Sequence, residues 1–238
     1  MRTVLITGGS RGIGAAMVRM FSERGYRVAF TYKNSAAAAS LISEETGALA
    51  IRADSASEKD ICNAVKTAEE KIGNVEILIN NAAVSSFSLI TDVSSDAWRE
   101  MFSVNVDAAF LYSKSVLPSM IRNGFGRIIN ITSMWGLVGS SCEVCYSSTK
   151  AALIGFTKAL AKEVGPSGIT VNAIAPGLID TDMNASLSEE DKAAVCEETP
   201  LMCIGKAEEI AEAAYFLASD GAAFITGDVM NVSGGFVV

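Results

Sequence analysis

Short apolar runs rich in β-branched residues recur along this chain, and helical patterns separate most of them. The runs are TVLIT (3–7), VAFTY (28–32), ALAIR (48–52), VEILIN (75–80), RIINIT (127–132), ITVNAI (169–174) and a weaker VMNV (229–232). Apolar residues at helical spacing predict a first helix near 13–21 and others at roughly 57–72, 94–122, 146–164 and 206–219. Because parallel strands need right-handed crossovers, this alternation predicts an α/β fold, a doubly wound parallel sheet of about seven strands with helices on both faces.

The length of the chain limits its domain organisation. A chain of 238 residues that is 50% hydrophobic can bury one sizeable core, and no internal repeat, low-complexity tract or linker is evident. We therefore expect a single domain over residues 1–238. The segment 177–205 has no clear pattern and follows a predicted strand at the end where open α/β sheets bind ligands, so it is a candidate substrate lid.

The charge balance and two residue counts exclude several classes of function. A net charge of -8 disfavours nucleic acid and anionic membranes as partners. The sequence has no evident signal peptide and no apolar stretch long enough to span a bilayer. It has five cysteines, an odd number that fits reduced thiols better than a disulfide framework. We therefore expect a cytoplasmic protein. Histidine is absent, which excludes Ser-His-Asp and Cys-His catalysis and removes the commonest metal ligand. Proton chemistry near neutral pH must then come from a carboxylate, lysine, cysteine or tyrosine with a shifted pKa.

A glycine-rich loop follows the first predicted strand. The sequence TGGSRGIG (7–14) places Gly8, Gly12 and Gly14 where the strand would turn into the first helix. Glycines let the backbone turn sharply and approach a ligand, and the helix N-terminus offers free N–H groups to a pyrophosphate. An ordinary glycine-rich turn would have the same pattern, so the loop favours a nucleotide only in company with other signals. The other loop residues expected to contact a cofactor are Ser10, Arg11 and Ile13.

The end of the second predicted strand indicates which dinucleotide fits. NAD-binding folds have an acid about 20 residues beyond the loop that holds the ribose 2′-hydroxyl. Here the strand ends in Tyr32, Lys33 and Asn34. With no acid there, and with Arg11 in the glycine loop, we expect a 2′-phosphate and hence NADPH rather than NADH.

Asp54 and Ser55 follow the third predicted strand. Asp54 is placed to contact the adenine of the cofactor, with Ser55 beside it. The alternative is that Asp54 caps the next helix, a role that Ser55 or Ser57 could also take.

The segment GSSCEVCYSSTKA (139–151) contains a tyrosine and a lysine four residues apart. On a helix, Tyr146 and Lys150 would lie one turn apart, and the ammonium group would lower the pKa of the phenol toward the range useful to a general acid. An isolated pair at this spacing is also common on solvated helix faces. Cys142 and Cys145 supply only two thiols, whereas a structural zinc site needs four ligands, so packing or substrate-lining thiols are favoured over a metal or redox site.

Six short segments together make the chain resemble the short-chain dehydrogenase/reductases over essentially its whole length. They are TGGSRGIG (7–14), NNAA (80–83), SVNV with Asn105, ITS with Ser133, YSSTK (146–150) and APGLIDT (175–181). Each segment is weak alone, whereas the ordered set is highly specific. The resemblance implies a Rossmann fold and an NADP-dependent oxidoreductase that acts on CH–OH and C=O groups. It also implies a homotetramer built through the helices at 94–122 and 146–164 and the C-terminal strand.

The resemblance implies a role for each matching residue. Ser133 would hydrogen-bond the substrate carbonyl, and Tyr146 would donate its proton to the developing alkoxide. Lys150 would lower the tyrosine pKa and hold the nicotinamide ribose, and Asn105 would anchor a water that relays protons. Structural alternatives are a helix cap for Ser133 and a buried polar residue with local partners for Asn105.

Two more segments would contact the cofactor by the same resemblance. Asn81, Ala82 and Ala83 match a cofactor-contacting turn whose usual glycine is replaced by Ala83, a change that a negative φ would tolerate. The segment expected at the nicotinamide end contains Pro176, Gly177, Ile179 and Thr181.

Within the family, the compact length and the ending FLASDGAAFITGDVMNVSGG resemble the 3-oxoacyl-(acyl-carrier-protein) reductases. This implies NADPH reduction of a β-ketoacyl thioester in fatty acid biosynthesis, with acyl carrier protein as a partner. Gly124 and Ser167 stand where such reductases tend to have basic residues for the acidic carrier, and Arg122 and Arg127 could compensate. A net charge of -8 provides little long-range attraction for an acidic partner.

The loop SMWGLVGSSCEVCY (133–146) resembles instead the elongation factor P 5-aminopentanone reductases, in its Trp-Gly and Ser-Cys-Glu-Val. Trp135 and Glu143 would favour a ketone with a positive amine, because the carboxylate pairs with the amine and the indole offers a cation–π face. The alternative is that Glu143 points to solvent and Trp135 packs beneath the loop. A catalytically silent NADP-binding regulatory protein is a third hypothesis, although it would normally have a broken catalytic set.

Overall fold

A computed structural model describes residues 1–184 and 188–237 of the chain. All seven strands are parallel and form one sheet in the order β3-β2-β1-β4-β5-β6-β7. The strands are β1 (Thr3–Ile6), β2 (Arg27–Tyr32), β3 (Leu49–Arg52), β4 (Ile77–Asn80), β5 (Gly126–Ile131), β6 (Ile169–Pro176) and β7 (Val229–Val232). The predicted doubly wound sheet is confirmed, and each of the seven apolar runs matches a strand to within two residues at either end.

Helices cover both faces of the sheet. They are α1 (Gly12–Glu23), α2 (Ala36–Thr46), α3 (Glu58–Ile72), α4 (Ser95–Phe102), α5 (Ala108–Asn123), α6 (Trp135–Val138), α7 (Val144–Val164), α8 (Glu189–Glu198) and α9 (Ala207–Ala218). One buried apolar cluster joins α1, α2 and α9 to one face of the sheet. A second cluster joins α3, α5 and α7 to the other face.

The central strands explain why the sequence shows continuous apolar runs rather than strict alternation. In β1, Val4 and Ile6 pack into the cluster with α1 and α9, whereas Leu5 packs into the cluster on the opposite face. Successive side chains of a strand point to opposite faces, and here both faces are covered by helices. Apolar residues are therefore favoured at successive positions of such a strand.

The single helix predicted at 94–122 is wrong in one respect. A π-helical segment, Ser103–Asp107, separates α4 from α5. Asn105 lies in this segment, where its amide bonds to the backbone of Val84. Single π-helical turns of this kind occur inside helices, frequently at functional sites. The helix continues on both sides of this one, and the apolar pattern at 94–122 did not distinguish it from regular α-helix.

Three short or solvated helices were not predicted. α2 buries only Ala39 and Ile42, so its apolar face is too narrow to give a pattern, and α6 has only four residues. α8 has no buried residue and begins with a capping box between Ser188 and Asp191. It occupies part of the segment predicted as a lid, of which residues 185–187 lie outside the described residues. Across 1–184 and 188–237, no helix combines the length and apolarity needed to cross a membrane.

Candidate active site

A cleft of about 480 Å³ opens where β1 and β4 lie side by side and the strand order reverses. Doubly wound sheets bind their ligands at this point, outside the carboxyl ends of the strands. Most residues predicted to contact a cofactor line the cleft. These are Gly8, Ser10, Arg11, Gly12, Ile13, Gly14, Tyr32, Lys33, Asn34, Asp54, Ser55, Asn81, Ala82, Ala83 and Thr181.

The glycine loop makes a cradle that side chains would fill. Gly8 and Gly12 have φ angles of 68° and 51°, a region that favours glycine. At Gly14, a Cβ atom would lie 2.1 Å from the carbonyl oxygen of Gly8. The N-cap residue of α1, Arg11, makes no capping bond with its side chain, so the first N–H groups of this helix are available to an anion.

The turn after β4 is tied directly to this loop. Asn81 donates from Nδ2 to the carbonyl oxygens of Thr7, at 2.9 Å, and Gly8, at 3.1 Å. Thr7 Oγ1 accepts from the backbone N–H groups of Asn81 and Ala82, both at 2.9 Å. Ala83 is not among the residues with positive φ, so alanine fits at this position in place of the family's usual glycine.

An ion pair stands at the far end of the cleft, beside the end of β2. Lys33 Nζ lies 2.8 Å from Asp54 Oδ2, and Asp54 Oδ1 accepts from the N–H of Ala56 at 3.0 Å. Burial raises the pKa of Asp54, but the bonds from Lys33 and Ala56 outweigh it, so the net pKa is below its ordinary value. Asp54 does not cap α3, because Ser57 Oγ accepts from the N–H of Asp60 in that role.

Tyr146, Lys150 and Ser133 come together at the start of α7 and the end of β5, and all three are buried. Lys150 Nζ lies 5.5 Å from the ring centroid of Tyr146 and donates to the carbonyl oxygen of Ile131 at 2.9 Å. Ser133 Oγ accepts from the N–H of Trp135 at 3.1 Å. Its hydroxyl is close enough to Tyr146 to lower the pKa of the phenol.

The pKa values in this cluster differ from the expectation. Burial raises the pKa of Tyr146 to about 12, with the nearby Glu143 also raising it and Ser133 lowering it. Burial lowers the pKa of Lys150 to about 8. The net shift of the Tyr146 pKa is therefore upward and not downward as expected, because desolvation outweighs the groups that favour the phenolate. A phenol with a raised pKa stays protonated at neutral pH and remains able to donate.

Asn105 reaches the same cluster through Thr149. Its Nδ2 donates to Val84 O at 2.9 Å and to Thr149 Oγ1 at 3.1 Å, and its Oδ1 accepts from Val84 N–H at 2.8 Å. Thr149 Oγ1 in turn donates to the carbonyl oxygen of Tyr146 at 2.7 Å. The Asn105 side chain thus has the local partners of the structural alternative, and it links the turn after β4 to the first turn of α7.

Three residues predicted at the nicotinamide end are absent from the lining of the cleft. Pro176 ends β6 and accepts from the N–H of Met134 at 2.8 Å. Gly177 lies against the backbone of Ser233, and a Cβ atom on residue 177 would lie 2.8 Å from the Cα atom of Ser233. Ile179 is buried and forms a parallel bridge with Gly205. Tyr146 and Lys150, predicted also as cofactor contacts, likewise lie outside that lining.

The two tentative substrate residues lie beside the tyrosine. Trp135 is half-buried, packs against Cys145 and Tyr146, and meets the Phe236 ring edge-on at a centroid distance of 5.4 Å. Glu143 is half-buried, and its carboxylate has no hydrogen-bond or ion-pair partner within the described part of the chain. Burial raises the pKa of Glu143.

The cysteine pair flanks this loop. Cys142 is half-buried and has a positive φ of 60°, whereas Cys145 is buried against Tyr146. All five cysteines are free thiols. No group of three or more potential metal ligands occurs in the ranges 1–184 and 188–237.

Arg127 does not compensate for the missing basic residues at Gly124 and Ser167. It is only 4% exposed, donates to the carbonyl oxygen of Gly126 at 2.9 Å, and stacks over the ring of Phe125. That prediction is wrong because the arginine follows the first residue of β5, where its side chain turns inward. Arg122, in contrast, is exposed at the end of α5.

Several residues that line the cleft were not predicted from the sequence. They are Thr31, Ser35, Ala53, Val84, Ser85, Glu100, Val104, Asp182 and Met183. Thr31 and Ala53 adjoin recognised positions at the strand ends, so the topology rule alone would have found them. Glu100 and Val104 come from α4 and the π-helical segment, and only the packing of that segment against the turn after β4 brings them there.

Comparisons with known proteins agree with this geometry. A family model described as enoyl-(acyl carrier protein) reductase matches residues 8–237. The 3-oxoacyl-(acyl-carrier-protein) reductase FabG of Chlamydia trachomatis is 40% identical to this chain. The alignment is 239 residues long and covers 98% of this chain and 96% of that protein.

Two solved structures have the same fold. One is a blue fluorescent protein from a metagenomic library in complex with NADPH, with a TM-score of 0.94 and 36% identity. The other is a double mutant of a Serratia marcescens short-chain dehydrogenase/reductase, with a TM-score of 0.94 and 37% identity. Each alignment covers 100% of this chain and 98% of the other. The chain therefore belongs to the short-chain dehydrogenase/reductase family of nicotinamide-dependent oxidoreductases.

Proposed function

We propose that this protein is an NADPH-dependent reductase of 3-oxoacyl thioesters carried by an acyl carrier protein. The observation that carries the proposal is the buried cluster of Ser133, Tyr146 and Lys150, close to a cleft lined by the glycine-rich loop after β1. The near full-length similarity to a relative named for this reaction supports the choice of substrate. The matching family model is described as enoyl-(acyl carrier protein) reductase. A test must therefore distinguish reduction of the C=O bond from reduction of a C=C bond.

The residues of the cleft fit a nicotinamide dinucleotide. The cradle of Gly8, Gly12 and Gly14 accommodates only backbone and a close ligand, and the N-terminus of α1 suits its pyrophosphate. Lys33 and Arg11 supply positive charge, and no acid ends β2, which favours a 2′-phosphate. The blue fluorescent protein, which has the same fold, forms a complex with NADPH.

In this proposal, the bound cofactor supplies the hydride, and the protein supplies orientation and a proton. Ser133 and Tyr146 donate hydrogen bonds to the substrate carbonyl oxygen, and Tyr146 gives up its proton as negative charge develops there. Lys150 stabilises the phenolate that remains. Asn105 and Thr149 hold the first turn of α7, so that the phenol faces the carbonyl oxygen of the substrate.

We extend the proposal to partners and location. Arg122 is an exposed basic residue suited to contact an acidic carrier protein. Phe110 and Ile121 are large apolar side chains that stay about half exposed on α5, which supports a homotetramer paired through this helix and α7. Free thiols throughout support a location in the cytoplasm.

The test is NADPH oxidation by the purified protein with an acetoacetyl thioester, the matching enoyl thioester and a small amino-ketone. We expect the 3-oxoacyl thioester to be reduced fastest. Exchanging Tyr146 for Phe removes only the hydroxyl that donates the proton, so kcat should fall by about 10²–10⁴-fold. The binding of NADPH, measured by its fluorescence, should remain.

The other outcomes of this assay decide between the alternatives. Faster turnover of the enoyl thioester would replace the proposed reaction with reduction of a C=C bond. Bound NADPH without turnover of any of the three substrates would support the regulatory hypothesis. An unchanged kcat in the Tyr146→Phe variant would remove the tyrosine from the mechanism.

A second candidate function follows from Glu143. Its half-buried carboxylate lies close enough to Tyr146 to raise the pKa of the phenol, and no described residue neutralises it. A ketone with a protonated amine would place its positive charge at this carboxylate. A 5-aminopentanone group on modified elongation factor P is a ketone of this kind. Trp135 already packs against Phe236 and Tyr146, so the charge of Glu143 is the main feature that favours such a substrate.

The exchange Glu143→Gln tests the second candidate. Removing the charge should raise the KM for the amino-ketone by roughly threefold to tenfold, in keeping with a partly buried ion pair, and leave the KM for the neutral thioester unchanged. Glu163→Gln, an exposed position near the far end of α7, is the matched control. Equal KM changes for both substrates would exclude charge recognition by Glu143.

A further inference from the structure

Lys150 is bonded twice to the end of β5, once through its ammonium group and once through its backbone. Its Nζ donates to the carbonyl oxygen of Ile131 at 2.9 Å. Its own carbonyl oxygen accepts from Oγ1 of the next residue along the chain, Thr132, at 2.8 Å. Lys150 and Thr132 are both buried, with 2% of each exposed. Two consecutive residues therefore fix the backbone and the tip of this one side chain.

The backbone of α7 does not need the hydroxyl of Thr132. Lys150 lies in the second turn of this helix, where a carbonyl oxygen accepts a bond from the N–H four residues ahead. A carbonyl oxygen has two lone pairs, so the bond from Thr132 is an additional one. Valine has nearly the same shape as threonine and would leave α7 internally bonded. The hydroxyl thus joins α7 to β5 at the residue that has the ammonium group.

The surroundings of this bond are tightly packed. The N–H of Thr132 donates to the carbonyl oxygen of Ile174 in β6 at 2.8 Å, which fixes the threonine backbone to the sheet. Gly136, in α6, lies against the other side. A Cβ atom at Gly136 would lie 2.9 Å from Thr132 Oγ1 and 2.9 Å from the C and Cβ atoms of Lys150. The contact between Thr132 and Lys150 is therefore enclosed by the sheet, α6 and α7.

We propose that Thr132 is a positioning residue for Lys150, whose hydroxyl fixes α7 against β5 and so places the ammonium group beneath Tyr146. Nζ lies 5.5 Å from the centroid of the tyrosine ring. Because the lysine backbone belongs to α7 and Nζ is bonded to β5, any shift of the helix along the strand changes both the bond to Ile131 and the distance to the phenol. The inference rests on the proposed function, in which Lys150 stabilises the phenolate.

The exchange Thr132→Val removes the hydroxyl, whereas Thr132→Ser keeps it. In the valine variant we expect kcat for the 3-oxoacyl thioester to fall about tenfold to 100-fold, since small displacements of a catalytic group have effects of this size. The serine variant should stay within about twofold of the wild-type protein. The dissociation constant of 2′,5′-ADP, the adenosine half of NADPH, should not change in either variant. An unchanged kcat in the valine variant, or equal losses in both, would overturn the inference.

A double-mutant cycle shows whether Thr132 acts through Lys150. In a Lys150→Met variant the ammonium group is absent, so there is no charge left to position. Adding Thr132→Val to this variant should then lower the single-turnover rate by less than about twofold. If valine lowers the rate by the same factor in both backgrounds, Thr132 does not act through the lysine and the inference is wrong.

Thr157→Val is the matched control for loss of stability. Thr157 is also buried, and its Oγ1 donates to the carbonyl oxygen of Leu153 in α7 at 2.8 Å and accepts from Asn130 Nδ2 at 2.9 Å. Its loss should lower the Tm at least as much as Thr132→Val but leave kcat unchanged. A similar fall in kcat would show that kcat follows stability, against the inference.

The wild-type protein separates this inference from the proposed function. Absence of thioester turnover in the wild-type protein would contradict the proposed function. Turnover by the wild-type protein that Thr132→Val leaves unchanged would contradict the inference alone.

Discussion

Lys150 is the group whose chemistry depends most on its surroundings. Its amine is buried beside Tyr146, and burial lowers its pKa to about 8. Below that pH the side chain is an ammonium that stabilises negative charge on the phenol, and above it the charge is lost. We therefore expect kcat/KM to fall as the pH rises through about 8. Steady-state rates between about pH 6 and 10 measure this directly.

The Lys150→Arg variant identifies the titrating group. Arginine stays charged throughout this range, so the fall near pH 8 should disappear even if the overall rate is lower. Tyr146 is not responsible for such a fall, because its own pKa is raised to about 12. A fall at the same pH in the arginine variant would assign the titration to another group.

The turn between β1 and α1 has no room for a side chain at Gly14, and the exchange Gly14→Ala tests whether this close packing matters for stability and NADPH binding. A Cβ atom here would lie 2.1 Å from Gly8 O and 2.7 Å from Asn81 Nδ2, so the turn and its link to β4 must both shift. We expect Gly14→Ala to destabilise the protein by about 1–3 kcal/mol, as overpacking does, and to weaken NADPH binding at least about tenfold. Thermal unfolding and fluorescence titration measure the two effects.

The matched control is Gly221→Ala, in the short 3₁₀ turn Asp220–Ala222. A Cβ atom there would meet no atom closer than 3.4 Å, at ordinary van der Waals distance. Its effect on stability should stay within about 0.5 kcal/mol, and NADPH binding should not change. Tight NADPH binding by Gly14→Ala would show that the cradle does not meet the pyrophosphate.

At the scale of elements, the π-helical segment Ser103–Asp107 shows how local geometry serves the site. By interrupting the run from α4 to α5, it turns Asn105 toward Val84 and Thr149. Three separate parts of the chain meet at this amide: the turn after β4, the π-helical segment that leads into α5, and α7. The first turn of α7, which contains Tyr146, is thereby bonded to the π-helical segment as well as within its own helix.

At the scale of the whole molecule, the sheet order brings distant residues to one edge. Gly14, Asn81 and Ser133 follow β1, β4 and β5, which are neighbours in the sheet although they lie far apart in sequence. All strands are parallel, so their carboxyl ends open on the same side. The cleft therefore lies at the same edge of the sheet as the candidate catalytic residues, even though none of Ser133, Tyr146 and Lys150 lines it.

The sequence by itself determined the seven strands, the principal helices, the glycine loop and the candidate catalytic residues. The spacing of apolar residues indicates which side chains are buried, and a glycine such as Gly8 indicates a backbone conformation that other residues rarely adopt. Both signals lie within one short segment of the sequence. Solvated elements such as α2 and α8 left no such record.

Only the tertiary structure decided what depends on neighbours distant in sequence. Burial made the net shift of the Tyr146 pKa upward instead of downward, and Arg127 proved to be buried rather than exposed. It also left Glu143 without a described partner. Desolvation and pairing depend on every group packed around a side chain, and no spacing within one segment of the sequence encodes them.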